Sequence, residues 1–185
     1  WEQLILSRDR ISTNRLWIDD TPSISTIAMY SKLRRLIARQ PIDLIIVDYL
    51  QLMTVVGGGS SENRVQVLSE ITRMLKSFAR EFNVPVLALA QLSREVDKRQ
   101  SKMPQLSDLR ESGSLENDAD VVLFIYRDEV YNPESERKGM ADIIVAKHRN
   151  GPVGEVTVGF EGRYTEFRDI DFYTPSEEVY DDVEE

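Results

Sequence analysis

The chain has 185 residues, 41% hydrophobic and 30% charged, a composition that supports a packed core and excludes wholesale disorder. Its lack of cysteine excludes disulfides, thiolate metal sites and cysteine nucleophiles from these residues, and its one histidine excludes a histidine-rich metal cluster. The net charge of −9 is unevenly placed: residues 171–185 hold seven acidic and no basic residues, which leaves −2 for the other 170 and room among them for a basic surface.

The chain opens on Trp1, so its translational start is expected to lie upstream. Glu2, Arg8, Asp9 and Arg10 interrupt any apolar stretch that would act as a secretory signal. Residues 15–19 are predicted as a short strand, with Thr21 as the N-cap and Pro22 as the first residue of a helix running to about residue 40. In that helix Met29, Leu33, Leu36 and Ile37 fall at helical spacing, Lys32, Arg34, Arg35 and Arg39 occupy the wet faces, and Pro41 ends it. Residues 43–48, Asp-Leu-Ile-Ile-Val-Asp, are apolar throughout their middle, which predicts a strand buried on both faces of a parallel sheet.

A flexible loop is predicted over 54–63, which contains Gly57, Gly58, Gly59, Ser60 and Ser61. The next helix covers about residues 64–82, where Leu68, Ile71, Leu75, Phe78 and Phe82 step by three and four, and Asn83 closes it. A second doubly buried strand at 84–90 completes a βαβ unit. A loop of nearly 30 residues, 92–119, follows, with a short helix around 105–109. Strands are then predicted at 120–126 and 141–147, and one at 153–160 pairs with 163–168 across Glu161-Gly162. The reading is an α/β fold, a mostly parallel sheet flanked by helices with a C-terminal β-hairpin extension. Residues 1–170 form one domain, and 171–185 are an acidic tail expected to be disordered. No apolar run approaches the roughly 20 residues of a membrane-crossing helix, so no membrane role is expected, and the cysteine-free composition agrees with a cytoplasmic location.

Asp48 closes the first buried strand at its carboxyl end, the edge of an open α/β sheet where ligands bind. A carboxylate there can hold the water shell of Mg²⁺ on a nucleotide, or equally can cap a loop. Gln91 ends the next strand on the same edge, where an amide can bond a terminal phosphate or its attacking water, or be an ordinary strand-end residue. Lys147 and Arg149, two positions apart, project to one side of a later strand and are placed to meet an anion, on a neighbouring subunit or simply in solvent. His148 points the other way and reads as structural. The long loop mixes Arg94, Lys98, Arg99, Lys102 and Arg110 with Glu95, Asp97, Asp108 and Glu111. It contains no aromatic residue, which favours phosphate contacts over base stacking if it follows a single strand.

Five stretches taken together carry a resemblance: Asp19-Asp-Thr-Pro, Asp43-Leu-Ile-Ile-Val-Asp-Tyr-Leu-Gln-Leu, Ala90-Gln-Leu-Ser-Arg, Ser107-Asp-Leu-Arg-Glu-Ser-Gly-Ser and Lys147-His-Arg-Asn-Gly-Pro. Between about residues 5 and 171 the chain resembles the C-terminal motor domain of the bacterial replicative DNA helicase of DnaB type, a RecA-like hexameric ATPase. The resemblance implies ATP and Mg²⁺ as cofactors, single-stranded DNA as ligand, a homo-hexameric ring, and primase and a helicase loader as partners. It implies Asp48 as the Walker B carboxylate and Gln91 as the sensor of the γ-phosphate. Lys147 and Arg149 would reach the adjacent subunit's nucleotide, Arg149 as arginine finger. The loops after Asp48 and Gln91 would line the channel, with Arg110, Glu111 and Gly113 at strand-contacting positions.

One departure stands out. The family binds ATP through Gly-x-x-x-x-Gly-Lys-Ser/Thr, and that pattern is absent from these 185 residues. The resemblance places it, with the catalytic Glu, upstream of Trp1, so the chain is expected to be the C-terminal part of a longer motor domain and inactive alone. Two rival readings are a RecA-like recombinase or regulatory ATPase, and a non-catalytic scaffold that binds single strands.

Overall fold

The computed structural model describes residues 15–55 and 64–170 together with Trp1, Gln3 and Ile5, and of residues 110–114 the backbone only. Most of the glycine-rich loop at 54–63 and the acidic tail at 171–185 lie outside the described residues.

The helix expected after Pro22, here α1, is Thr26–Ile37, four residues later than Thr21 and Pro22 suggest. Ser25 is the N-cap: its extended backbone lets its Oγ accept from the Ala28 amide at 3.2 Å. Thr21 serves another purpose, since its amide and hydroxyl both donate to Asp19 Oδ1. Lys32 pairs with the same carboxylate and holds it near a pKa of about 2. Residues 15–19 are not a strand, because among the described residues no neighbouring strand pairs with them.

Helix α2 is Arg64–Phe82, as its three-and-four spacing predicts. Asn83 ends it with a left-handed backbone, φ 52°, and the Val84 amide closes back on the Ala79 carbonyl at 3.1 Å. Strands β1 (Ile45–Val47) and β2 (Val86–Ala88) flank α2 in sequence and pair in parallel, Ile45 opposite Val86 and Val47 opposite Ala88, completing the expected βαβ unit.

Ile45 and Val47 pack with Leu68, Ile71, Leu75 and Phe78 of α2 and Met29 of α1 in the main core. Each such buried side chain contributes about 1.5–3 kcal/mol relative to exposure. The other face differs from expectation. Ile46 is 57% exposed and Leu87 48%, so the described chain covers one side of this sheet only. The apolar run belongs to a strand built for two covered faces, and no described element supplies the second cover.

The loop at 92–119 is folded. It holds a 3₁₀ turn at Arg94–Lys98, a 3₁₀ segment at Leu106–Ser112 in place of the helix expected at 105–109, and helix α3 at Gly113–Asp118. Leu115 on α3 packs against both the main core and a smaller one around Leu109, Val122 and Phe124. Beyond it β3 (Val121–Tyr126), a short α4 (Asp128–Tyr131), β4 (Met140–His148), β5 (Gly154–Glu161) and β6 (Glu166–Arg168) follow. The four strands form an antiparallel sheet in chain order, of which the expected hairpin is the far half. Asp142 on β4, 2% exposed, accepts from Arg137 through both oxygens at 2.8 and 2.6 Å and from Thr157 at 2.8 Å, tying the loop before β4 to β5.

Phe78 is buried against Tyr30 and Phe82, at ring-centroid distances of 5.5 and 6.3 Å. Phe78→Ala is expected to lower unfolding free energy by about 3–5 kcal/mol, read as a shifted denaturant midpoint with unchanged slope.

Candidate functional site

The parallel register puts Asp48 and Gln91 on one rim. Asp48 follows β1 directly, and the Leu89 amide donates to Val47 O at 2.9 Å, so the segments leaving both strands travel together past the sheet edge. Both residues are exposed there, and among the described residues the Asp48 carboxylate forms no ion pair. A 3₁₀ turn, Leu50–Leu52, follows Asp48, and the Asp48–Tyr49 peptide is cis.

From that turn Gln51 clasps Gln91. Its Nε2 donates to Gln91 O at 3.1 Å, and its Oε1 accepts from the Gln91 amide at 3.3 Å. The clasp uses the main chain of Gln91 and leaves its side-chain amide to the rim. Gln51 O in turn accepts from Arg64, the first residue of α2. Sequence reasoning passed over Gln51, whose place in Tyr-Leu-Gln-Leu carries no spacing signal for a bond 40 residues away.

Lys147 and Arg149 share a side, as their two-residue spacing predicts, but that side faces α3. The Lys147 ammonium donates to the carbonyls of Glu116, Asn117 and Ala119, with the last at 2.8 Å. These are carbonyls that a helix end leaves without intrahelical partners. Arg149 is held more loosely, 3.3 Å from Asn117 O and 3.3 Å from Asp120 Oδ1, while its amide donates to Asp120 O at 2.8 Å. Asp120 also pairs with Lys76 of α2, whose hydrogen bond is the main cause that lowers the Asp120 pKa. The exposed His148 ring occupies the space that a Gly151 side chain would enter, so a larger residue there would push the ring aside.

Arg110 and Glu111 lie at the end of the 3₁₀ segment and Gly113 opens α3, so these three positions lead directly into the helix that Lys147 caps. Three cations counted towards this loop have partners within it. Arg99 donates to Asp108 Oδ2 and Met103 O, each at 2.8 Å, and Lys102 donates to the carbonyls of Asp97 and Arg99. Asp108 is buried and also accepts from the Gln105 amide at 2.7 Å. Lys98 pairs with Glu95. Arg94 forms no ion pair among the described residues.

A family model described as the DnaB-like helicase C-terminal domain matches residues 1–169. The replicative DNA helicase DnaB of Geobacillus stearothermophilus is 49% identical over 171 residues, 92% of this chain and 37% of that protein. The replicative DNA helicase DnaC of Bacillus subtilis (strain 168) is 48% identical, with the same coverage of 92% and 37%. Among solved structures, one described as an ATPase domain gives a TM-score of 0.85 at 42% identity, covering 92% of this chain and 60% of that one. A DnaB-like replicative helicase described with its interactions with primase gives 0.84 at 42% identity, covering 92% and 42%. The chain thus spans 37% of the length of these curated relatives.

Asp108 anchors the loop by two bonds at once, so Asp108→Ala is expected to leave the Gln105 amide and Arg99 without their acceptor. The cost should be about 1–3 kcal/mol, read as amide hydrogen exchange about tenfold or more faster across 93–108 while β3 to β5 keep their protection.

Proposed function

The chain belongs to the DnaB-like helicase C-terminal domain family, and from that premise we propose that it is part of a replicative DNA helicase motor, which couples ATP hydrolysis in a homo-hexameric ring to movement along single-stranded DNA. The observation that supports this reading most directly is the shared rim: Asp48 and Gln91 leave paired parallel strands on the same edge. Motors of this kind place at that edge a carboxylate for the metal and a polar group for the terminal phosphate.

The donor set fits Mg²⁺ held through water. Among the described residues there is no group of three or more His, Cys, Asp and Glu able to cage a metal. Asp48 is a single exposed carboxylate. Mg²⁺ keeps several waters and takes one or two carboxylates plus phosphate oxygens, so one Asp suffices when a nucleotide completes the shell. Bound there, the ion would neutralise charge on the phosphates. In this reading Gln91, its backbone fixed by Gln51, orients the water or contacts the γ-phosphate. Arg149, with Lys147 beside it, supplies positive charge to the nucleotide of the adjacent subunit. Arg110, Glu111 and Gly113 contact the strand.

Primase is the partner named with one of the similar structures. It and a helicase loader are proposed partners here, and the cytoplasm is the proposed compartment. No described helix is long and apolar enough to cross a membrane.

In the longer protein that carries these residues, Arg149→Ala is expected to lower DNA-stimulated ATP turnover by about 10³-fold. Turnover within about threefold of wild type would remove Arg149 from the finger role. Strand binding by the ring is expected to weaken about tenfold or more between roughly 50 and 200 mM salt, because phosphate contacts release counterions. Fluorescence anisotropy of a labelled oligonucleotide measures it, and a salt-independent affinity would contradict the phosphate-contact reading.

A further inference from the structure

We propose that Asp120 is a positioning residue for Arg149, holding the guanidinium against the end of α3 whenever it is not engaged with a neighbouring nucleotide; this rests on the finger reading given above. The two cations of β4 and its following turn are bound differently. Lys147 is partly buried and bonded to three carbonyls of the α3 end, so it is an anchor. Arg149 is 46% exposed and touches Asn117 O and Asp120 Oδ1 at 3.3 Å each, near the outer limit for such contacts. A contact that long and that wet is weak and readily exchanged.

One guanidinium cannot sit on the Asp120 carboxylate and reach a phosphate across a subunit boundary together. Asp120 therefore competes with the neighbouring nucleotide for Arg149. Lys76 holds the other oxygen of the same carboxylate and offsets part of its charge, so it weakens the attraction that Asp120 exerts on Arg149. Arg80 adds further positive potential there, and the carboxylate stays ionised at neutral pH. Asp120 lies two residues past the end of α3, which begins at Gly113. The carboxylate that holds Arg149 thus directly follows the helix that the proposed strand-contacting positions open.

The opposed roles of Asp120 and Lys76 give effects of opposite sign. In the longer protein, Asp120→Asn is expected to raise ATP turnover without DNA about twofold to fivefold, the size of one exposed ion pair, and to lower the ratio of DNA-stimulated to basal turnover correspondingly. Asp120→Glu should restore the ratio. Lys76→Gln leaves Asp120 to Arg149 alone and is expected to lower basal turnover by a similar factor. A general loss of packing would move both variants the same way, and the melting temperature of each monitors it. If Asp120→Asn does not fold, Lys76→Gln decides: a fall in basal turnover at unchanged melting temperature supports the proposal, and an unchanged or raised value overturns it. Arg149→Ala is assayed in parallel. Full turnover in that variant means that the finger reading itself has failed. Loss of turnover there, with basal rates unchanged or shifted in the same direction by the Asp120 and Lys76 variants, means that only the parking role has failed.

Discussion

The ammonium of Lys147 sits among the carbonyls that end α3, and the C-terminal half of the molecule is organised around that contact. A six-residue helix has few internal bonds, and isolated helices of that length are unstable in water. What holds α3 is Leu115, shared by both apolar cores, the Thr72 hydroxyl bonded to Asp118 at 2.8 Å, and the cation from β4. The antiparallel sheet and the long helix α2 therefore meet at the C-terminal end of this short helix, whose opposite end is opened by the segment carrying Arg110, Glu111 and Gly113.

The same economy appears at the other rim. Gln51 lies in a turn, yet through its side-chain amide and its carbonyl it connects Gln91 to Arg64 at the start of α2. Asp48, two residues before the start of that turn, keeps its carboxylate outward. Backbone is fixed by backbone-directed bonds, and the side chains proposed to face a ligand are left out of the internal network. Sites that must bind a charged ligand reversibly need that separation, because a carboxylate already paired inside the fold has to be unpaired before it can act.

Much of this was legible in the residues. Helix α2 lies where Leu68, Ile71, Leu75 and Phe78 step by three and four, and Asn83 closes it, because periodicity and end chemistry agree. The parallel pairing of β1 and β2, and with it the common rim of Asp48 and Gln91, followed from two apolar runs separated by a helix. Local rules failed where a distant partner decides. Residues 15–19 have strand-like composition but no described strand beside them. Thr21 has the chemistry of an N-cap, but Asp19 and Lys32 engage it, and Ser25 takes the cap. Ile46 and Leu87 read as doubly buried and are bare, because a strand's sequence records the cover it is built for and not which segment provides it. Asp120 and Gln51 carried no signal, since their side-chain partners lie tens of residues away.

The charge of the long loop shows the same point for function. Counted from the sequence, it offers five cations to a polyanion. In the fold Arg99 and Lys102 are spent on Asp108 and on main-chain carbonyls, so they shape the loop rather than extend from it, and Lys98 has an exposed partner in Glu95. Few cations per subunit then remain for phosphate, and each exposed contact is weak on its own. A single copy of this surface thus offers little charge to a nucleic acid, in keeping with a net charge that is not basic even without the acidic tail. Several copies around one strand change the arithmetic. Each additional contact forms at the high effective concentration set by those already made, so modest sites add to a tight grip while each remains weak enough to release during movement. The proposed ring, which would hold a strand and also pass along it, would call for that combination, and a loop whose charge goes largely into its own internal bonds is consistent with it.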